Sequence, residues 1–244
     1  MVNPTDFTEH RPWELPKGSW VMAQRWEKLL FAHWSFPPEQ IEPLIPKGLT
    51  LETYDGKAWI GVVPFLMNNV HPRGLFNVPW LSKFLELNVR TYVVADNKPG
   101  VFFFSLDAAN SVGVFLGRNW FRLPYFNANM SLGIDGDNVR YHSTRSHRKA
   151  HSGIFEATYK PVSEVFHAER GTRDHFLTER YCLYAIDRHN QLYRAEVHHP
   201  QWPLQHATAD ININTVAPID IPDESPILHY ADGLDVVVWA LRKI

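Results

Sequence analysis

Residues 84–95 read FLELNVRTYVVA. A period of two puts Glu86, Asn88, Arg90 and Tyr92 on one face and Leu85, Leu87, Val89, Thr91 and Val93 on the other, the signature of a β-strand. Two readings of the polar face follow. In the plain one it is the wet side of an antiparallel sheet. In the other it points into a barrel mouth, where a carboxylate and a guanidinium on one strand face orient an anionic substrate and move a proton. Burying both charges unpaired costs several kcal/mol each, so an inward orientation demands partners.

Past the turn Lys98-Pro99-Gly100, the next strand, Gly100 to Asp107, places Phe103, Ser105 and Asp107 on one face by the same alternation. A hairpin would bring the two polar faces together. A helix is expected over Val112–Phe121, with Val112, Phe115 and Asn119 on one face and Arg118 beside them, ending ahead of Pro124. The loop Arg122-Leu123-Pro124-Tyr125 then sets a phenol near the helix end, to donate to a substrate oxygen or to fill the barrel. The candidate site is therefore Glu86 and Tyr125 as catalytic groups, with Arg90, Arg118, Asn88 and Ser105 binding substrate.

The same rhythm runs through the chain. Asp55-Gly56, Asp135-Gly136-Asp137-Asn138 and Arg188-His189-Asn190 each separate apolar or alternating runs, as hairpin turns do. Strands are expected at Leu49–Thr53, Ala58–Asn68, Asn127–Gly133, Val139–Ser146, Gly153–Lys160, Glu179–Asp187, Gln191–His198 and Asp235–Leu241. Helices are few. Ser19 would cap one running to Leu29, with Met22, Trp26 and Leu29 at helical spacing, and Pro37-Pro38 would open a short one ending before Pro46. A predominantly β α+β fold with so many antiparallel strands must close on itself to hide its edges, as a barrel or a sandwich. Neither linker nor repeat divides residues 1–244, so a single domain with an N-terminal arm over residues 1–18 is expected.

The 244 residues carry 24 Lys and Arg against 26 Asp and Glu, a net charge of -2, which argues against nucleic acid as a partner. One cysteine, Cys182, excludes an intramolecular disulfide and fits a reducing compartment. No apolar run reaches the roughly 18 residues of a membrane span, and the N-terminus lacks the apolar core of a signal peptide, so a cytoplasmic protein without a membrane partner is expected. His198, His199 and His206 near Trp202 invite a metal site, yet no Cys or carboxylate completes a set, and ordinary histidines are the better reading; no metal and no cofactor is expected. His142, His147 and His151 lie among Arg145, Arg148 and Lys149, a solvated or anion-facing edge. Cys182 sits among aromatic neighbours and reads as a buried, inert thiol.

Residues 84–128, FLELNVRTYVVADNKPGVFFFSLDAANSVGVFLGRNWFRLPYFNA, resemble the acetoacetate decarboxylase-like superfamily, in which a strand with Glu is followed by Gly-Val-Tyr, Leu-Asp, Gly-Arg-Glu and Pro-Lys-Lys. Over nearly everything after residue 20, the segments WEKLLFAHW, LIPKGL, GKAWIGVVPF, ELNVRTYV, FFFSLDA, RNWFRLPY, LTERYCLY and HHPQWPL resemble more closely the uncharacterised YqjF-like family of that superfamily. The resemblance implies a closed, cone-like double barrel around a cavity. It also implies a difference in chemistry. The decarboxylases use a lysine Schiff base, and their Pro-Lys-Lys falls here on Pro124-Tyr125-Phe126. Gly-Arg-Glu becomes Gly117-Arg118-Asn119, and the strand glutamate corresponds to Glu86. Both lysines are missing, and Lys83, just before Phe84, is the one lysine left to test as a replacement. Two functions stay open: an enzyme of enolisation, hydration or lyase type acting on a small organic acid or carbonyl compound without an imine, or a non-catalytic ligand-binding or protein-interaction module whose aromatic residues serve a ligand or a homo-oligomer interface.

Overall fold

The computed structural model describes residues 4–75 and 82–244. Thirteen strands, β1 (Met22–Phe36), β2 (Thr50–Leu51), β3 (Ala58–Pro72), β4 (Phe84–Ala95), β5 (Lys98–Ala108), β6 (Tyr125–Asp135), β7 (Asn138–Arg145), β8 (Ile154–Pro161), β9 (Cys182–Ile186), β10 (Leu192–His198), β11 (Gln205–Asn214), β12 (Ile227–Val238) and β13 (Arg242–Lys243), join in one sheet. The helices α1 (Pro38–Ile41), α2 (Ser111–Trp120) and α3 (Arg173–Thr178) are short.

The sheet closes twice. One ring runs β5-β6-β7-β8-β11-β12-β1-β3-β4 and back to β5; a smaller one runs β10-β9-β5-β4-β3-β1-β12 and back to β10. The two rings share β1, β3, β4, β5 and β12, so this central sheet is covered on both faces. One face packs Phe31, Val63, Phe65 and Phe103 into the smaller ring; the other packs Leu30, Val62, Leu87 and Val89 against Tyr141, Phe155 and Tyr159 of the larger. The wet-face reading of β4 fails for this reason: every residue from Leu85 to Val93 is buried.

The expected all-antiparallel closure is corrected. β5 pairs parallel with β6 (Leu106 with Tyr125) and with β9 (Val101 with Leu183). A parallel pair needs a crossover, and α2 supplies the one between β5 and β6. Asn110 caps α2 by accepting from the amides of Val112 and Gly113.

Two of the β-bulges decide which side chains reach the interior near β4. In β1, Trp26 pairs with Met67 but Ala32 with Val62, one extra residue that coincides with Lys28 at φ 52°. Met22, Trp26 and Leu29 thereby reach the same interior at spacings that mimic a helix, and the helix expected over Ser19–Leu29 is instead strand. In β5, Val89 pairs with Ser105 and Arg90 with Phe103, leaving Phe104 as the extra residue. The strands β11 and most of β12 were not anticipated, because QHATADININ reads as polar loop although its burial alternates residue by residue.

Candidate active site in the smaller ring

The smaller ring encloses a cavity of about 200 Å³. Along one face of β4, Glu86, Asn88 and Arg90 line it in sequence, and Val101, Phe103 and Leu106 line it from β5. Trp26, Phe65 and Trp202 form an aromatic wall: Trp26 stacks on Trp202 with centroids 5.8 Å apart and meets Phe65 edge-on at 5.7 Å. Among the described residues, no lysine contributes to the lining. Lys83 is exposed at the edge of β4.

Glu86 is 3% exposed and its Oε2 accepts a hydrogen bond from the Tyr125 hydroxyl at 2.9 Å. Burial without a cation pushes its carboxyl up to about 8, the Tyr125 bond being a smaller opposing influence. Tyr125 is held well above an ordinary phenol by burial and by Glu86. The pair is a protonated acid and a neutral phenol at neutral pH. Its geometry depends on Gly117, because a Cβ there would overlap the Tyr125 ring.

Arg90 is buried beneath the C-terminal end of α3. Its Nη2 donates to the Leu177 carbonyl at 3.1 Å, and its guanidinium lies 5.1 Å from the Phe31 ring centroid and 5.8 Å from that of Tyr92. Among the described residues no carboxylate pairs with it, and its Nε has no partner. Asn88 Oδ1, between Glu86 and Arg90, has none either. The Tyr92 hydroxyl donates to the same Leu177 carbonyl at 2.7 Å and lies 2.6 Å from His33 Nε2. His33 is kept neutral by burial, with the charge of Arg90 adding to the effect.

Two expected site residues lie elsewhere. Arg118 is exposed on α2, donating to the Tyr125 carbonyl at 2.7 Å and stacking on Phe126 at 5.8 Å; the outward face of α2 that carries it does not reach the cavity. Ser105 is turned to the opposite side of β5 by the Phe104 bulge. There Arg145 donates to Ser105 Oγ at 3.0 Å and to both oxygens of Asp107 at 2.7 and 3.2 Å. The expected shared face of Phe103, Ser105 and Asp107 is broken by the same bulge. Val112, Phe115 and Asn119 of α2 are also exposed, while Val114 and Gly117 face inward.

The alternation argument missed Trp26, Arg180, His199 and Trp202, which line the cavity from beyond the β4–α2 region. Arg180 pairs with Glu52 at 2.5 Å. His199 is fully enclosed and held at about 3 by burial. His198 and His199 are both buried, and among the described residues no group of three His, Cys, Asp or Glu side chains could hold a metal ion. Cys182 is buried, and burial pushes its thiol up to about 12. Among the described residues no helix is long and apolar enough to cross a membrane.

Comparison with known proteins places this geometry in context. The sequence profile of the DUF2071 family, described as an uncharacterized conserved protein, matches residues 23–235. The uncharacterized protein YqjF of Bacillus subtilis (strain 168) is 43% identical over 242 residues, covering 98% of this chain and 99% of that one. Solved structures with the same fold include an enduracididine biosynthesis enzyme, MppR, complexed with pyruvate, with a TM-score of 0.63, 11% identity and coverage of 96% and 93% of the two chains. Another is the acetoacetate decarboxylase of Legionella pneumophila, with a TM-score of 0.61, 12% identity and coverage of 99% and 94%. An acetoacetate decarboxylase-like enzyme of Sphingomonas wittichii RW1 matches at a TM-score of 0.61 and 12% identity, covering 93% and 94%. At these identities the likeness is one of fold.

Proposed function

Since the chain belongs to the DUF2071 family and has the acetoacetate decarboxylase-like fold, we propose that its cavity binds a small organic acid or carbonyl compound, and that Glu86 with Tyr125 moves a proton on it without a covalent intermediate. The observation that carries this reading is the pairing, on one strand face, of a buried guanidinium without a carboxylate and a buried carboxyl that burial keeps protonated, in an otherwise apolar enclosure. Each is costly in a ligand-free chain and each is completed by the opposite end of one ligand.

The Arg90 guanidinium takes the carboxylate, and the Asn88 amide takes a hydroxyl or a second oxygen. The protonated Glu86 donates to a carbonyl oxygen and, once ionised, accepts a proton back, with the Tyr125 phenol following as donor to whichever state is charged. This is the chemistry of enolisation, hydration or elimination. Imine formation has no support, because positions matching the decarboxylase lysines hold Tyr125 and Phe126 and, among the described residues, no lysine lines the cavity.

A thermal-shift screen against keto acids, hydroxy acids, aldehydes and aromatic acids tests the binding half. A ligand at about 100 times its Kd adds roughly 2.7 kcal/mol, raising Tm by about 5 to 10 °C. Turnover of any hit by the wild type but not by Glu86→Gln supports the catalytic half. The predominantly apolar lining favours a second reading, a binder without chemistry; a hit that shifts Tm equally in both proteins and is never converted would establish it.

A further inference from the structure

The two ends of the site are held far apart, and this sets the size of what fits between them. β4 is regular where it matters: its pairing with β3 runs unbroken from Met67–Phe84 to Ile60–Thr91. At about 3.3 Å per residue, Glu86 and Arg90 have their Cα atoms about 13 Å apart. Strand side chains stand roughly perpendicular to the sheet, and both heads are tied down, Glu86 by the Tyr125 hydroxyl and Arg90 by the Leu177 carbonyl. Allowing about 3 Å for a hydrogen bond at each end leaves about 7 Å between the terminal polar atoms of a ligand that touches both. The three-carbon acid pyruvate, held by one structural neighbour, is too short to do so.

The cavity also has a direction. Met22, Val70, Pro72 and Trp120 line it beyond the Glu86 end, where Pro72 and Trp120 are exposed. At the Arg90 end the buried Leu177 and Thr178 of α3 close it. The guanidinium is therefore the deep anchor, and aromatic rings run from it to the Glu86 end: Phe31, 5.1 Å from the guanidinium, meets Trp202, which stacks on Trp26, and Phe65 pairs with Glu86 itself.

Resting on the reading above, we propose that the ligand is an extended carboxylic acid with a ring-sized apolar body and an oxygen at its far end, of the para-oxygenated aromatic acid type. Its carboxylate enters first and seats on Arg90, its ring lies against Trp26, Phe65 and Trp202, and its far oxygen meets Glu86. The class differs from short keto acids by having two polar ends separated by an apolar ring.

Isothermal titration of the full-length wild type with four probes tests this: para-hydroxyphenylacetate, phenylacetate, para-hydroxyphenylethanol and pyruvate. The first is expected to bind at least about tenfold more tightly than each of the others, because phenylacetate lacks the far oxygen, para-hydroxyphenylethanol lacks the carboxylate and pyruvate lacks the length. Removing groups from the ligand leaves the protein's folding untouched. Arg90→Gln is a second test, expected to reduce binding of para-hydroxyphenylacetate to the level of para-hydroxyphenylethanol. If pyruvate binds as tightly as the long acid, or phenylacetate matches its hydroxylated form, the length argument is overturned while anion binding at Arg90 stands. If neither acid binds, the length argument and the anion site fall together.

Discussion

Glu86 carries an unusual linkage between protonation and stability. Its folded-state pKa of about 8 lies above the ordinary 4.5, so the folded protein holds a proton that the unfolded chain releases. The contribution of Glu86 to stability is constant below pH 4.5, falls as pH rises from there, and levels off above pH 8. The full loss is roughly 5 kcal/mol. Glu86→Gln keeps an acceptor for Tyr125 and removes the titration. Its Tm is expected to match the wild type near pH 4.5 and to exceed it at pH 8 on the order of 10 °C, as thermal unfolding at the two pH values would show. Equal melting at pH 8 would mean the carboxyl is solvated. Tyr125→Phe removes the donor that opposes the upward shift, and the Glu86 titration followed by carboxyl NMR is expected to move further up.

Elements connect these residues through a few contacts that tolerate little change. Gly117 of α2 faces the Tyr125 ring without room for a Cβ, so Gly117→Ala is expected to displace α2 or the ring and reduce ligand affinity, although alanine favours the helix by about 1 kcal/mol in propensity. Unchanged affinity in a titration would show that the Tyr125 position is not critical. Between the rings, Asp107 and Arg145 form a buried pair, with the Arg145 side chain 7% and the Asp107 side chain 0% exposed. Asp107→Asn leaves that guanidinium uncompensated, an expected cost of about 3–5 kcal/mol by urea denaturation. This scale is also where sequence reading succeeded and failed. The β4 alternation was legible and brought Glu86, Asn88 and Arg90 together as read, and α2 fell within a residue of its expected span. The bulges at Lys28 and Phe104 were not legible, because one inserted residue turns a period of two into spacings that resemble a helix or a false face. Arg118 was misplaced for a different reason: the position of a helix on its barrel decides which face points inward, and the apolar but exposed Val112 and Phe115 suggested the wrong one.

At the scale of the molecule, the two rings share a sheet that is dry on both sides, and its buried titratable groups shape the response to pH. His199, held at about 3, and His33, kept neutral, are uncharged when folded and become charged on unfolding below their ordinary 6.5, so each costs stability as pH falls below that value. Between pH 4.5 and 6.5 these two outweigh the opposite slope from Glu86, and above 6.5 Glu86 acts alone among the three. The Tm profile is expected to peak at about pH 6.5 and to decline on both sides; a monotonic profile would contradict the burial of one set. The long-range closure that creates this environment, β10 onto β12 and β9 onto β5, leaves no local sequence signal, which is why His199, Trp26 and Trp202 could not be assigned to the cavity from spacing alone.

The central claim is that Glu86 is a protonated carboxyl and Arg90 a guanidinium without a carboxylate inside one dry cavity. A carbon-detected NMR titration of the Glu86 carboxyl, assigned by its loss in Glu86→Gln, tests it most directly. The account predicts a midpoint of about 8 in the ligand-free protein, moved when an acid seats beside it. A midpoint at or below 4.5 would show an ionised, hydrated carboxylate, and the site described here would be the wet face of an ordinary strand.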